Sequence, residues 1–186
     1  MRWPGVIKPG QVINEIASLQ DFIPTFAAAA GEPDLVAKVK KGYKIGGVTF
    51  KVHLDGFNLL PFLSGAEKKS PREGFLYWSD DGDLMALRVH QYKIVFMEQR
   101  AQGLNVWREP LSPLRIPKIF DLRSDPFERG EESIKYNDWF IEHVPYQYLA
   151  QAVVHQWLES FKEFPPRQKP ASFSVDQLVA TMMPKS

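Results

Sequence analysis

The stretch from Phe75 to Leu122 limits most strongly what this chain can fold into. Its apolar residues recur with period two in short runs, and the gaps between the runs are too tight for a crossover. Phe75-Leu76-Tyr77-Trp78 leads through Asp80-Asp81-Gly82-Asp83 into Leu84-Met85-Ala86-Leu87-Arg88-Val89. His90-Gln91 then separates that run from Tyr92-Lys93-Ile94-Val95-Phe96-Met97. Two short turns between three such runs predict an antiparallel meander, and Ile116 to Leu122 predicts a fourth strand. A sheet with one apolar face needs a cover. Leu149, Val153, Val154, Trp157, Leu158 and Phe161 lie on one side of a helix that stops before Pro165-Pro166, and that helix is expected to supply it. A length of 186 residues suits one core, and 44% hydrophobic with 24% charged residues excludes a disordered chain.

The first part of the chain reads differently. Met1-Arg2-Trp3-Pro4-Gly5 resembles no signal peptide, and Val6-Ile7-Lys8-Pro9-Gly10 is punctuated by Pro and Gly, so residues 1–17 read as a strand end and a loop. Asp21 is placed to cap a helix in which Leu19, Phe22, Ile23 and Phe26 share a face, Pro24 sits in the first turn and Gly31 is the stop. Tyr43-Lys44-Ile45, Gly46-Gly47 and Val48 to Leu54 predict a hairpin. Asp55 to Gly65 repeats the Asp, early Pro, closing Gly grammar as a short helix. Near the end, Ser174-Val175-Asp176-Gln177 reads as a capping box opening a terminal helix with Leu178, Val179 and Met182.

Chemistry-bearing patterns are sparse. The 23 basic and 22 acidic residues leave a net charge of +1, so no global field draws nucleic acid or an anionic membrane. No apolar run approaches the roughly 18 residues of a membrane span, and Pro24 interrupts the best candidate, Phe22 to Ala30. With no Cys, disulfides, thiolate metal sites and cysteine nucleophiles are excluded. Asp80, Asp81 and Asp83 have the ligand type for Ca²⁺, but Gln91 stands where an EF-hand needs Glu, and Asp-Gly favours a hairpin turn. His53, His90, His143 and His155 have no metal-binding spacing. No G-x-S-x-G elbow, P-loop or dinucleotide fingerprint occurs. Lys38, Lys40 and Lys41, and Arg167 with Lys169, read as solvated faces. Trp3, Trp78, Trp107, Trp139 and Trp157 are read either as packing residues or as a platform for a sugar.

The order of the segments says more than their chemistry. Arg2 to Gly10 (RWPGVIKPG), Ser18 to Thr25 (SLQDFIPT), His53 to Pro61 (HLDGFNLLP), Ala86-Leu87-Arg88, Tyr92-Lys93 and Ile119 to Glu128 (IFDLRSDPFE) follow one another over nearly the whole chain. This succession resembles the C-terminal portion of type I, formylglycine-dependent sulfatases of the arylsulfatase kind. The tail Phe164 to Phe173 is similar to a bacterial subgroup. The resemblance implies an α/β fold of the alkaline phosphatase superfamily. Residues 1–72 would be the last elements of the large α/β domain, and residues 73–186 a C-terminal subdomain of four-stranded antiparallel sheet packed on a helix.

The resemblance also implies a parent enzyme that splits sulfate esters into alcohol and sulfate. Its nucleophile would be a formylglycine made within C/S-x-P-x-R, and a Ca²⁺ or Mg²⁺ ion held by acidic residues would polarise the sulfate. In the family that machinery precedes the Trp-Pro-Gly motif, so this chain is expected to begin after it. Ser124-Asp125-Pro126-Phe127-Glu128 ends in Glu, and Ser112-Pro113-Leu114-Arg115 lacks the spacer. No catalytic or metal-binding residue and no cofactor of its own is therefore assigned to this chain, and the isolated chain is expected to be inactive. His53 and Asp55 are candidates for the rim of the parent's cleft. The expected partners are a sulfate ester or sulfated glycan, the missing N-terminal half, or a second copy; nucleic acid is not among them. A non-catalytic binding or assembly module, and a truncated remnant, are the alternatives. Residues 1–70 are expected to fold poorly alone, while 75–163 persist, because an unpaired sheet edge with apolar neighbours associates.

Overall fold

The meander is built around one row of side chains. In the computed structural model, which describes residues 1–166, β3 (Gly74–Trp78), β4 (Leu84–Val89), β5 (Tyr92–Glu98) and β6 (Ser112–Asp121) form an antiparallel sheet in that spatial order. Leu76 lies opposite Leu87, Leu87 opposite Ile94, and Ile94 opposite Ile119, so one apolar residue from each strand lines up across the sheet. Leu87, Ile94 and Ile119 are the buried centre, and Ala150 of the covering helix joins them. Directly opposed side chains on one face are the pairs that stabilise a sheet, and period two places all four on the same side.

Three helices run behind the sheet, α4 (Tyr136–His143), α5 (Pro145–Leu158) and α6 (Ser160–Glu163). Pro145 starts α5, where its missing N–H costs nothing. Half of the expected apolar face packs inward, Val154, Trp157 and Phe161, and the other half does not. Leu149, Val153 and Leu158 are exposed, whereas Ala150 is buried and Tyr146 and Val154 pack on the core. The 146, 150, 154 spacing is equally helical, and the small Ala150 lets the helix approach the Leu87 row closely. Trp157 continues this side to Trp78 of β3, with ring centroids 5.3 Å apart, and Phe161 completes the group.

The first seventy residues form smaller elements. A 3-10 turn (Leu19–Asp21) runs into α1 (Phe22–Ala29), followed by α2 (Leu35–Lys41), the hairpin β1 (Tyr43–Ile45) and β2 (Val48–Phe50), and α3 (Leu60–Ser64). Gly46 and Gly47 both have positive φ, as the two-residue turn demands. Residues 1–17 contain turns and loop but no strand, so the expected strand end is not formed. The hairpin pairs only as far as Phe50, and the helix expected from Asp55 starts at Leu60. The Lys-rich α2 was not anticipated; Lys38, Lys40 and Lys41 fall in its last turn, where cations suit the helix dipole. The face of α1 carrying Leu19, Phe22, Ile23 and Phe26 points outward, and Pro24 and Thr25 are buried instead. The terminal helix read at Ser174 to Met182, and Arg167 and Lys169, lie outside the described residues.

Candidate functional site

Asp21 does not cap α1 through its side chain. It is fully buried, and its carboxylate is held by Arg72, 51 residues away. Arg72 donates from Nε to Oδ2 at 2.7 Å and from Nη2 to Oδ1 at 2.6 Å, a bidentate fork. The same guanidinium reaches the carbonyls of Asp55 at 2.7 Å and Gly74 at 2.8 Å and lies over the Phe57 ring. Asp21 also accepts from the backbone N–H groups of Ser18 and Phe57. Burial acts to raise the Asp21 carboxyl, but the Arg72 fork and the two backbone donors outweigh it and hold it below its usual value.

This knot fixes the His53-Leu54-Asp55-Gly56 segment. Thr25 Oγ1 donates to the Asp21 carbonyl and accepts from Leu59 N–H, tying α1 to the start of α3. At Gly56 a Cβ would collide with the Gln20 carbonyl, so glycine is required there for close approach. Sequence reasoning missed Arg72 because it sits alone in a Ser-Pro-Arg loop with no periodicity. The one available signal was an Arg beside a Ser-Pro turn immediately ahead of a predicted strand.

His53 and Asp55 are brought together by this local geometry. His53 Nε2 is 3.1 Å from Asp55 Oδ1, and both side chains are about seven-tenths buried. They line a cavity of about 220 Å³ with Val52, Ser160, Phe161, Phe164 and Pro165, so α6 and the turn after it supply the opposite wall. The imidazole packs on Phe164 with ring centroids 5.6 Å apart, and its Nδ1 is buried without a hydrogen-bond partner. Burial pushes the Asp55 carboxyl up, opposed by His53, by Arg72 and by a hydrogen bond with Trp157. A carboxylate kept in a cleft at a cost in desolvation is a mark of functional sites.

The other sequence candidates resolve into packing. The hydroxyl oxygen of Ser79 accepts from Asp81 N–H and Asp83 N–H, organising the acidic segment as a hairpin turn with Gly82 at positive φ. His143 stacks on Trp139 and hydrogen-bonds its carbonyl, His90 occupies the β4–β5 turn with φ of 49°, and His155 is exposed beside Glu159. Lys38 pairs with Glu32. Trp78 and Trp157 pack on each other, Trp139 packs on the core and Trp3 is half-buried, whereas Trp107 is 81% exposed.

Among the described residues no three His, Asp or Glu side chains converge as a metal-ion set. The described residues therefore offer no set that fits the divalent ion of a sulfatase, and no step is routed through it. No helix among the described residues is long and apolar enough to cross a membrane.

The comparisons agree with the architecture. No family model matches the chain. Human arylsulfatase A is 34% identical over 137 residues, 68% of this chain and 24% of its own length. Human arylsulfatase D is 32% identical over 143 residues, again 68% of this chain, and human steryl-sulfatase 34% over 90 residues, 48% of it. The crystal structure of the PsFucS1 sulfatase from Pseudoalteromonas sp. aligns with a TM-score of 0.65 and 25% identity, covering 89% of this chain and 30% of that one. Sheet, covering helices and alignment define an α/β fold of the alkaline phosphatase-like class. The chain belongs to the type I sulfatase family. It spans about a quarter of the length of arylsulfatases A and D and 13% of the steryl-sulfatase.

Proposed function

We propose that this chain is the C-terminal portion of an arylsulfatase-type sulfuric ester hydrolase. The parent hydrolyses a sulfate ester to an alcohol and sulfate. The observation that carries this reading is the match to several sulfatases over two thirds of the chain but only about a quarter of their length. Formylglycine and a Ca²⁺ or Mg²⁺ ion belong to the remainder of the parent, and this chain completes the fold around them. Residues 1–72 are the end of the large domain and residues 73–186 the C-terminal subdomain. The outward apolar face of α1, with Leu19, Ile23 and Phe26 each more than half exposed, supports that division, because an apolar face of this kind marks a contact surface.

His53 and Asp55 form part of the cleft rim in this reading. Their partly buried pair, backed by the Asp21–Arg72 knot, presents one imidazole and one carboxyl group from one loop. The test is reconstitution. The chain alone is expected to show no turnover of an aryl sulfate, and mixing with a polypeptide that carries C/S-x-P-x-R and the acidic metal set is expected to restore it. Turnover by the chain alone, or no rescue across a wide concentration range with both parts folded, overturns the proposal.

A further inference from the structure

The chain is nearly neutral as a whole, but its charge is unevenly spread. Lys38, Lys40, Lys41, Lys44 and Lys51 fall within residues 38–51, a stretch with no Asp or Glu. α2 delivers the first three in its last turn, Gly42 ends the helix, and β1 follows at once. Lys38 pairs with Glu32 and Lys51 with Glu163, whereas Lys40, Lys41 and Lys44 are exposed. The hairpin beside them has one apolar face. Tyr43 lies opposite Phe50 and Ile45 opposite Val48, and period two puts all four on the same side. Ile45, Val48 and Phe50 are 49%, 56% and 43% exposed, so this side is open at its tip. A two-stranded hairpin is marginal by itself, and an uncovered apolar face marks a contact surface. The cations and the apolar face belong to one surface. Lys38 Nζ lies over the Tyr43 ring, 5.2 Å from its centroid, and the Tyr43 hydroxyl donates to the same Glu32 carboxylate that holds Lys38.

We propose that this hairpin is a peripheral docking site for an anionic lipid surface, with Ile45 and Val48 entering the headgroup layer and Lys40, Lys41 and Lys44 set against lipid phosphates. From Tyr43 to the Gly46-Gly47 turn the strand advances about 7 Å, at about 3.4 Å per residue. Interfacial elements settle about 5–10 Å deep, so the tip reaches the acyl boundary while the long lysine side chains stay at the phosphates. Stable attachment takes two weak signals, an apolar insertion and a polybasic patch, and this hairpin carries both. Two other outward apolar groups lack such cations. Residues 9–37, which include the α1 face, contain no Lys or Arg. Leu104 and Trp107 ride on residues 99–111 between β5 and β6, an excursion that Gln99 clasps by donating from Nε2 to the carbonyls of Val106 and Glu109, and its Arg100 is bound to Glu98. A nucleic acid would take the lysines of the hairpin but leave Ile45, Val48 and Phe50 in water.

This site goes beyond the sulfatase reading and does not depend on it. The full chain has no Cys, so a single Val48→Cys carries an environment-sensitive dye without competition. Its emission is expected to rise with vesicles of two parts phosphatidylcholine to one part phosphatidylglycerol and to stay flat with phosphatidylcholine alone. The rise is expected to reverse as salt reaches about 0.5 M, where charges more than a few ångströms apart are screened. Flotation of the unlabelled chain with the same vesicles gives the partition. One lysine at an anionic leaflet is worth about fivefold, so Lys40→Gln/Lys41→Gln/Lys44→Gln is expected to lose about a hundredfold. Ile45→Ser/Val48→Ser is expected to lose at least about tenfold, and Ile23→Ser/Phe26→Ser on α1 less than about twofold. Every substituted side chain is exposed, and an unchanged urea unfolding curve verifies that each variant folds. Equal partition onto both kinds of vesicle overturns the proposal. So does a dye at Phe26→Cys that responds while one at Val48→Cys stays silent, which makes α1 the inserting face. Lysine-dependent binding to a duplex oligonucleotide with no flotation also overturns it, as does a change of sedimentation in Ile45→Ser/Val48→Ser with flotation unaltered, which makes the hairpin a contact between copies.

Discussion

Replacing Arg72 by Leu removes the guanidinium fork that holds Asp21 and a donor to two backbone carbonyls. Four hydrogen bonds vanish, two to the carboxylate and one each to the Asp55 and Gly74 carbonyls. Asp21 is left fully buried with only the Ser18 and Phe57 N–H groups. Breaking a buried ion pair on one side costs about 3–5 kcal/mol, because the remaining charge is uncompensated. That is a large share of the about 5–15 kcal/mol by which a domain is stable. The double variant Asp21→Asn/Arg72→Leu removes the stranded charge and is expected to recover part of the loss.

The pH dependence sharpens this test. In the parent chain the Asp21 carboxyl is held low, so its stabilisation is present above the unfolded carboxylate value near 3.8 and is lost as pH falls through the folded value. In Arg72→Leu burial dominates and the carboxyl is raised, so the variant gains stability as pH falls. The gap between the two is therefore largest near neutral pH and narrows below about pH 4. Urea unfolding followed by tryptophan fluorescence at pH 7 and at pH 3.5 reads both quantities. A difference under about 1 kcal/mol at pH 7, or a gap that does not change with pH, refutes the reasoning.

Two further outcomes follow from the packing and the site. Leu87→Ala removes the central member of the four-strand row and is expected to cost about 2–5 kcal/mol in urea unfolding, since Leu87 is only 1% exposed. Asp55→Asn is expected to leave stability unchanged or raise it at neutral pH. Burial pushes that carboxyl up, so ionised Asp55 is destabilising above its titration, and the difference disappears once both states are protonated at low pH; thermal unfolding at pH 7 and pH 3 is the check, and a loss of stability confined to pH 7 counts against it.

The sheet was legible because its signal is local. Strand period, the Gly82 turn and the His90-Gln91 turn all sit within a few residues of what they determine, and β3, β4 and β5 came out within a residue or two. The covering helix was legible as an element and its face in part, through Val154, Trp157 and Phe161. Leu149 and Val153 are as apolar as Tyr146, and the small Ala150 against Leu87 turns the Tyr146 side in. Asp21 was misread because a cap is a local pattern, whereas its partner is 51 residues on. His53 and Asp55 stood out two residues apart, and the structure pairs them. The far wall, Ser160 to Pro165, comes more than a hundred residues later, and no spacing rule links it to them.

The Gln99 clasp makes the 99–111 excursion nearly independent of the sheet that carries it. Its ends meet at the Glu98–Ser112 pair, and Lys118 braces the base through Glu98 at 2.6 Å and Glu131 at 2.5 Å. Closing a longer loop on such a fixed base costs only about 0.6 kcal/mol for each doubling of its length. The excursion thus behaves as an exchangeable cassette, one in which residues can be inserted or swapped while the Leu76, Leu87, Ile94 and Ile119 row stays intact. In a laboratory it is the place to graft a new sequence without disturbing the sheet.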